Sequence, residues 1–336
     1  MIRLLKSFIK LFVPRSFIDR FNGFKYKRKL MRAYLYDCSR YYKYGDCFTR
    51  AMKDNEGEII KNYHIVEKGL TMPETRLGFG RQVVLKLADC VSKYIKDCNA
   101  TNDQVLHAVK VLLEYQHFHQ ERDFVLDDTV VSTIASVAAQ VDDLEPSKQC
   151  VFTGDTYLSH CSSPFDEFAQ SRYSIRNFSS TPVAQERILA ALDLAKTAPS
   201  ACNRQCWRTY VYTSKEQIQA ILDIQGGSRG FGHLADKLIV VTGKLSLFAD
   251  VHERNQAFID GGIYAMNLLY SLHFNRIGAC ILNCSNWPEK DKIMRKAASI
   301  CDGEVFIAMV ACGEPLPDFT VACSPRKPIA VTNTVV

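Results

Sequence analysis

The chain has 336 residues, of which 47% are hydrophobic and 23% charged, and its formal net charge is +6 at pH 7. This composition is ordinary for a folded globular protein and argues against the disordered and fibrous classes. The length is enough for about two domains of roughly 100 to 200 residues each.

The thirteen cysteines are scattered along the chain and form no Cys-x-x-Cys pair. Cys202/Cys206 and Cys280/Cys284 are each four residues apart, without a histidine at zinc-finger spacing nearby. The first apolar run is broken by Lys6 and lacks a small-residue cleavage site, so it does not resemble a secretory signal. We therefore expect a cytoplasmic protein with reduced thiols, no metal site and no nucleic-acid partner.

Positive charge is concentrated in residues 1–32, which hold ten basic side chains against one acid, Asp19, while the rest of the chain has a net charge of −3. Apolar residues from Ile2 to Phe12 recur there at helical spacing. A basic amphipathic helix of this kind can bind an anionic membrane surface. The same pattern also fits a helix that packs on the protein's own core, and both interpretations are open. No apolar stretch reaches the roughly 20 residues that would span a bilayer.

The first part of the chain, residues 1–160, is predicted to be mainly helical. Apolar residues recur at helical steps in the segments 83–94 and 105–113, and the segment 130–141 is rich in alanine and β-branched residues. A polar, turn-rich connector runs from Glu145 to Pro164 and predicts a domain boundary.

From Phe165 onward, the pattern predicts that helices and strands alternate. One of the helices is predicted to begin with Thr181 as its N-cap and Pro182 in the first turn. The sum is a sheet covered by helices, in an α+β or three-layered arrangement. The predicted strands are 207–213, 237–243, 277–283 and 304–313, and the predicted helices are 165–171, 181–195, 215–224, 258–275 and 288–300.

Arg172 and Arg176 lie four residues apart, with Ser174 between them. Guanidinium groups donate in a fixed fork that suits phosphate oxygens, so an extended segment could direct all three side chains at one ligand. Taken alone, the cluster fits a solvated basic turn better than a ligand site. Asn203 and Gln205 follow a proline turn, and an amide can both donate to and accept from the polar edge of a planar ring.

These two segments resemble the opening signatures of the nitroreductase family. The family pattern R-R-S-x-R-x-F is similar to the stretch ending at Phe178, and P-S-x-x-N-x-Q-P-W is similar to the stretch ending at Trp207. Two later stretches, 278–283 and 324–328, resemble the family's strand end beside the flavin and its C-terminal arginine motif. The resemblance covers about residues 165–330.

The resemblance implies an α+β, nitroreductase-like domain over residues 165–336, built as a three-layer α-β-α sandwich with a central, mostly antiparallel sheet. It also implies FMN as cofactor. Gly261, Gly262 and Ala265 would allow close helix approach across a homodimer. The residues that would hold FMN are Arg172, Tyr173, Ser174, Arg176, Asn203, Gln205, Ile281, Leu282, Asn283 and Arg326.

By the same resemblance, Arg172, Ser174 and Arg326 would meet the phosphate, and Arg176 the pyrimidine edge. The chain departs from the family pattern at Tyr173, where a second basic residue is usual. Two further departures change the ring's neighbours: Ile281 replaces tryptophan and Asn283 replaces glycine.

The function that the resemblance implies is an FMN-dependent oxidoreductase that transfers hydride from NAD(P)H to an unknown acceptor by a ping-pong mechanism. The sequence offers no side-chain acid or base with a specific signal. The alternative is a non-catalytic or sensor flavin-binding module whose helical region binds a partner or a membrane.

Overall fold

The structure is a computed structural model that describes residues 14–44, 56–98, 101–141 and 144–336. The predicted basic helix near the start of the chain lies largely outside the described residues. The helices of the first part are α1 (Arg15–Tyr44), α2 (Glu56–Leu70), α3 (Arg81–Cys98), α4 (Asp103–Gln120) and α5 (Asp128–Ala138).

Helices α2 to α5 pack around an apolar core of their own. On α3, the side chains of Val84, Leu87 and Val91 are fully buried, because residues three and four apart share one face of a helix. Helix α4 begins after Asn102, whose side chain accepts hydrogen bonds from the backbone N–H groups of two residues in the first turn. The mainly helical character predicted for this region is confirmed.

Helix α1 differs from these four, since none of its thirty residues is buried. It is attached to the rest of the protein by a bidentate ion pair between Asp37 and Arg254, with N–O distances of 2.7 and 2.8 Å. Tyr26 adds a hydrogen bond from its hydroxyl to the carbonyl oxygen of Ala249. Among the described residues, none of the helices has both the length and the apolar character that crossing a bilayer requires.

The chain from residue 144 onward is built on a four-stranded sheet with every neighbouring pair antiparallel. The strands are β1 (Cys150–Thr153), β2 (Trp207–Tyr212), β3 (Lys237–Lys244), β4 (Gly278–Asn283), β5 (Glu304–Gly313) and β6 (Asp318–Val321). The order in the four-stranded sheet is β2-β3-β5-β4, and β1 and β6 form a separate two-stranded sheet. The helices are α6 (Gly154–Leu158), α7 (Phe165–Ser171), α8 (Gln185–Ala195), α9 (Lys215–Gln225), α10 (Gln256–Phe274), α11 (Pro288–Ala298) and α12 (Ile329–Thr332).

Both faces of this sheet are covered. Successive side chains of a strand point to opposite faces, so Leu238 and Val240 pack with α9 and α11, whereas Ile239 and Val241 pack with α8 and α10. The apolar run on β3 is therefore buried on both sides. The predicted three-layer α-β-α sandwich with an antiparallel central sheet is confirmed.

One of the small residues of α10 allows close packing within the chain, while the predicted role of these residues in a homodimer stays a prediction. A Cβ atom on Gly261 would lie 2.6 Å from the side chain of Ile307, so this glycine lets the helix approach its own sheet. Ala265, one turn later, is also buried. Gly262 alone of the three has open space around it, with nothing within 4 Å of an added Cβ.

Two local predictions were wrong. The segment from Glu145 to Pro164 was predicted to be a turn-rich connector, but it contains β1, which pairs antiparallel with β6 so that Cys150 lies opposite Val321. A four-residue strand carries too little periodicity to be recognised without its partner. The helix expected from Thr181 begins instead at Gln185, and Ala184 occupies the N-cap position without a side-chain hydrogen bond. The division of the chain near residue 160 stays a prediction.

Candidate functional site

A cavity of about 720 Å³ lies between the two parts of the chain. Its walls come from four places: helix α2, the end of α7 with the segment after it, the middle of α10, and the segment after β6. Its polar lining residues are His64, Gln170, Arg172, Tyr173, Ser174, Arg176, Tyr270, Cys323, Ser324 and Arg326.

The arginine segment reaches this cavity because the chain becomes extended where α7 ends. Arg172 is the C-cap of that helix, with φ −78° and ψ 112°. Three residues later, the N–H of Ile175 donates to the carbonyl oxygen of Ala279 on β4, at 2.9 Å. In an extended segment alternate residues share a face, so Arg172, Ser174 and Arg176 can point the same way while Ile175 enters the core.

The charge in this cavity is uncompensated. The Nε atoms of Arg172 and Arg176 are buried and lack a hydrogen-bond partner, and Arg176 is only 8% exposed. Within the described ranges, neither arginine has a carboxylate at ion-pair distance. A buried cation without a partner is costly, so these two guanidinium groups are suited to an anionic, oxygen-rich ligand.

Two further cations lie near these arginines. Lys68 on α2 donates to the carbonyl oxygen of Gly227 at 3.3 Å. Burial, and then the positive charge of Arg176, lower the pKa of Lys68 below its ordinary value. Arg326 lines the cavity from the other side, and its guanidinium donates to the carbonyl oxygen of Ser324 at 2.6 Å.

Asn203 and Gln205 are not among the residues that line this cavity. They lie on an exposed turn beside the start of α10, where the N–H of Ala201 is 3.2 Å from the buried carboxylate of Asp260. The backbone of Asn203 and Gln205 is in the left-handed region, with φ of 53° and 47°. Such backbone strain in a non-glycine residue persists only where surrounding contacts impose it. Here the Gln205 side chain donates to Asn203 Oδ1 at 3.1 Å.

Ile281, Leu282 and Asn283 also lie outside the cavity lining. Leu282 is buried in the core between the sheet and helices α9 and α11. The side chains of Ile281 and Asn283 are exposed at the end of β4. The part of β4 that supports the arginine segment is its beginning, at Ala279.

Sequence reasoning missed the contribution of helix α2. Glu67 is fully buried, and its Oε1 atom lies 2.8 Å from His107 Nε2 and 3.2 Å from Cys323 Sγ. Burial alone would raise the pKa of Glu67, but hydrogen bonds, first of all that with His107, lower it to about 2. His64 lies one turn before Glu67 and lines the cavity. No local pattern in the sequence could have joined these residues, because Cys323 is 256 positions away from Glu67.

The arginine segment and the turn that holds Asn203 fall within residues 169–228, which match the family model described as the nitroreductase family. The predicted resemblance to this family is confirmed.

Two proteins of known name are similar over part of their length. A 4-nitrobenzoate reductase of Pseudomonas putida is 34% identical over 79 residues, which are 22% of this chain and 35% of that protein. A Streptococcus pyogenes protein assigned as the NAD(P)H nitroreductase Spy0809 is 29% identical over 150 residues, which are 35% of this chain and 75% of that protein. The chain thus spans about a third of the first relative.

Among solved structures, an FMN-dependent nitroreductase of Clostridium difficile is similar with 21% sequence identity and a TM-score of 0.40. The similarity covers 44% of this chain and 86% of that one.

Beneath the arginine segment lies a buried histidine, His273, which is 1% exposed. Its Nε2 atom is 2.8 Å from the Ser171 hydroxyl, and its ring packs against those of Tyr157 and Phe168. Burial, and then the charge of Arg172, lower the pKa of His273 from 6.5 to about 4. The imidazole is therefore neutral in the folded protein at pH values where the unfolded chain begins to bind a proton.

This difference predicts that acid destabilises the fold through His273. Stability from the neutral ring is fully present above pH 6.5 and falls as the pH approaches about 4, by about 1–3 kcal/mol. Urea unfolding at pH 7 and pH 4.5 should show a larger loss in the native chain than in His273→Phe, which keeps an aromatic ring. Equal losses in the two chains would contradict the assignment.

Proposed function

We propose that the chain is an FMN-dependent oxidoreductase that uses NAD(P)H to reduce an acceptor still to be identified. The observation that carries the proposal is the cavity itself, where Arg172, Arg176 and Arg326 meet without a carboxylate partner among the described residues. A volume of about 720 Å³ is in the range of cofactor sites. The family match over residues 169–228 supports the same cofactor.

In this proposal Arg172, Ser174 and Arg326 hold the phosphate of FMN, because guanidinium forks and a hydroxyl suit its oxygens. Arg176 lies deeper and faces the pyrimidine edge of the ring, where a buried cation favours negative charge. FMN supplies the hydride chemistry, and the two substrates react in ping-pong order. The protein binds and orients the cofactor, and we assign no side chain as acid or base.

A homodimer is part of the proposal. Helix α10 leaves an apolar face uncovered, with Phe258, Ile259 and Ile263 exposed by 50%, 53% and 41%. A smaller cavity of about 380 Å³ lies on this face and shares Met266 and Tyr270 with the larger one. A second copy packed here would cover the apolar face and the smaller cavity on it.

Replacing Arg172 and Arg326 together by alanine should release FMN at moderate salt. Two charge-assisted hydrogen-bonding groups would be lost, worth about 3 kcal/mol together, which is roughly a 100-fold rise in Kd. The measurement is the visible absorption of the purified protein, with the released chromophore identified after denaturation. Arg122→Ala is the matched control, since Arg122 is exposed and lies on the helical half. Stoichiometric flavin in the double variant would contradict the phosphate assignment.

Ile263→Asp should convert the dimer to monomers, because a buried, unpaired carboxylate would face its symmetry-related copy. Light scattering should give twice the mass of one chain for the native protein and one chain mass for the variant. Val125→Asp is the control, since Val125 is 88% exposed and far from α10 in the chain. A native protein that is monomeric at micromolar concentration would refute the homodimer.

The second candidate is a non-catalytic or sensor flavin module, and helix α1 is the observation that favours it. This helix carries nine basic residues against two acids, and Phe17, Phe21 and Phe24 form an exposed stripe along it. We propose that the protein is cytoplasmic and that α1 binds the inner surface of the membrane. Either of the two candidate functions is compatible with this placement. Turnover of NADH with a quinone acceptor separates the two, since a module would bind flavin without being reduced by nicotinamide.

Membrane binding through α1 predicts strong dependence on lipid charge. Reversing four exposed basic residues (Lys25, Lys27, Arg28 and Lys29) to glutamate should lower binding to phosphatidylglycerol vesicles more than tenfold, at about 1 kcal/mol per charge. Co-sedimentation of the full chain measures this, and phosphatidylcholine vesicles are the control. Equal sedimentation of the two proteins with anionic vesicles would rule the contact out.

A further inference from the structure

The segment after β6, residues 322–326, forms one wall of the cavity and carries Arg326. It has left the β1–β6 pair, which ends at Val321, so strand pairing does not fix its position. Ser324 within it adopts a left-handed backbone with φ of 42°, which is strained for a residue other than glycine. Something outside the segment must therefore hold this turn.

The contacts that hold it come from earlier parts of the chain. The N–H of Cys323 donates to Gln149 Oε1 at 3.0 Å, and its thiol donates to Glu67 Oε1 at 3.2 Å. The N–H of the strained Ser324 points to the same Glu67 oxygen, at 3.4 Å. Just beyond the turn, Lys327 forms an ion pair with Glu56, on the same helix as Glu67.

Glu67 is suited to organise this turn because it stays charged. Its Oε1 atom faces three donors, from His107, Cys323 and Ser324, while the whole residue is inaccessible to solvent. Burial and the negative charge of Glu67 raise the pKa of the Cys323 thiol to about 12, so the thiol remains a donor. Hydrogen bonds to a buried carboxylate are stronger than those between neutral groups.

We propose that Glu67 is a positioning residue for the cofactor phosphate, which it serves by fixing the Ser324 turn and through it Arg326. The guanidinium of Arg326 donates to the Ser324 carbonyl oxygen at 2.6 Å, so the turn and the cation move together. The inference rests on the proposed function. It makes helix α2, which lies outside the family match, part of the cofactor site.

Glu67, His107 and Cys323 are also of types that bind metals, and their ligand atoms lie within 4.8 Å of one another. The two shortest separations, 2.8 and 3.2 Å, are hydrogen-bond distances to a single carboxylate oxygen. Donors on His107 and Cys323 therefore account for the cluster, and a bound metal would contradict this assignment.

Riboflavin lacks the phosphate of FMN, so comparing the two ligands isolates the contact that Arg326 would make. In the full chain, Glu67→Ala should raise the Kd for FMN about tenfold while the Kd for riboflavin changes less than twofold, since roughly one charge-assisted contact is lost. Glu67→Gln, which keeps the size of the side chain, should show a smaller loss in the same direction. Glu58→Ala is the control, because Glu58 lies on the same helix but pairs with Lys61 and Lys86.

A double-mutant cycle tests whether Glu67 acts through Arg326. If it does, Glu67→Gln combined with Arg326→Ala should bind FMN no more weakly than Arg326→Ala alone. Additive losses would overturn the inference, as would equal losses for FMN and riboflavin or one zinc per purified chain by mass spectrometry. A native chain that binds neither flavin would overturn the proposed function itself, whereas native FMN binding with an unchanged preference in Glu67→Ala would overturn this inference alone.

Discussion

The uncompensated positive charge of Arg172 and Arg176 is the constraint on which the site depends. Removing a cation from water costs several kcal/mol unless a partner replaces the lost solvation. Here the fold keeps the two cations in this position, because the extended arginine segment is hydrogen-bonded to β4 at Ala279 and its Ile175 is fully buried. The core of the sandwich therefore holds two guanidinium groups in place before any ligand arrives, which is what an anion site requires.

The helical half changes how this site is completed. The four-stranded sheet and its helices form a core without it, and the helices α2 to α5 form another. The cavity, however, has walls from both, because His64 on α2 lines it together with Arg172 and Arg326. On helix α2, Glu67 accepts a hydrogen bond from Cys323 in the segment after β6, and Lys68 lies close enough to Arg176 for the two positive charges to interact. Under the proposed function, the affinity for flavin and the stability of the helical half should therefore depend on each other.

Two surfaces of the chain are left for other partners, and they differ in chemistry. The exposed face of α10 is apolar and adjoins the cavity, which suits a second copy whose contact would also cover the cofactor. Helix α1 is basic and aromatic with no buried residue, which suits an anionic lipid surface. A dimer with both α1 helices exposed would bind a membrane more strongly than one chain, since the second contact becomes intramolecular.

The sequence by itself determined most of the elements. The helical recurrence of apolar residues in the segment 83–94 and the strand at 304–313 follow from the geometry of one helix or one strand, so local periodicity was sufficient to predict these elements. The spacing of Arg172 and Arg176 taken alone fitted a solvated basic turn better than a ligand site, and only the tertiary structure decided that they share a cavity with Arg326. The start of α8 and the strand β1 were missed because packing and a distant partner decided them. Glu67, whose contact with Cys323 spans 256 residues, left no local pattern, since the free energy of such a contact depends on how whole elements pack.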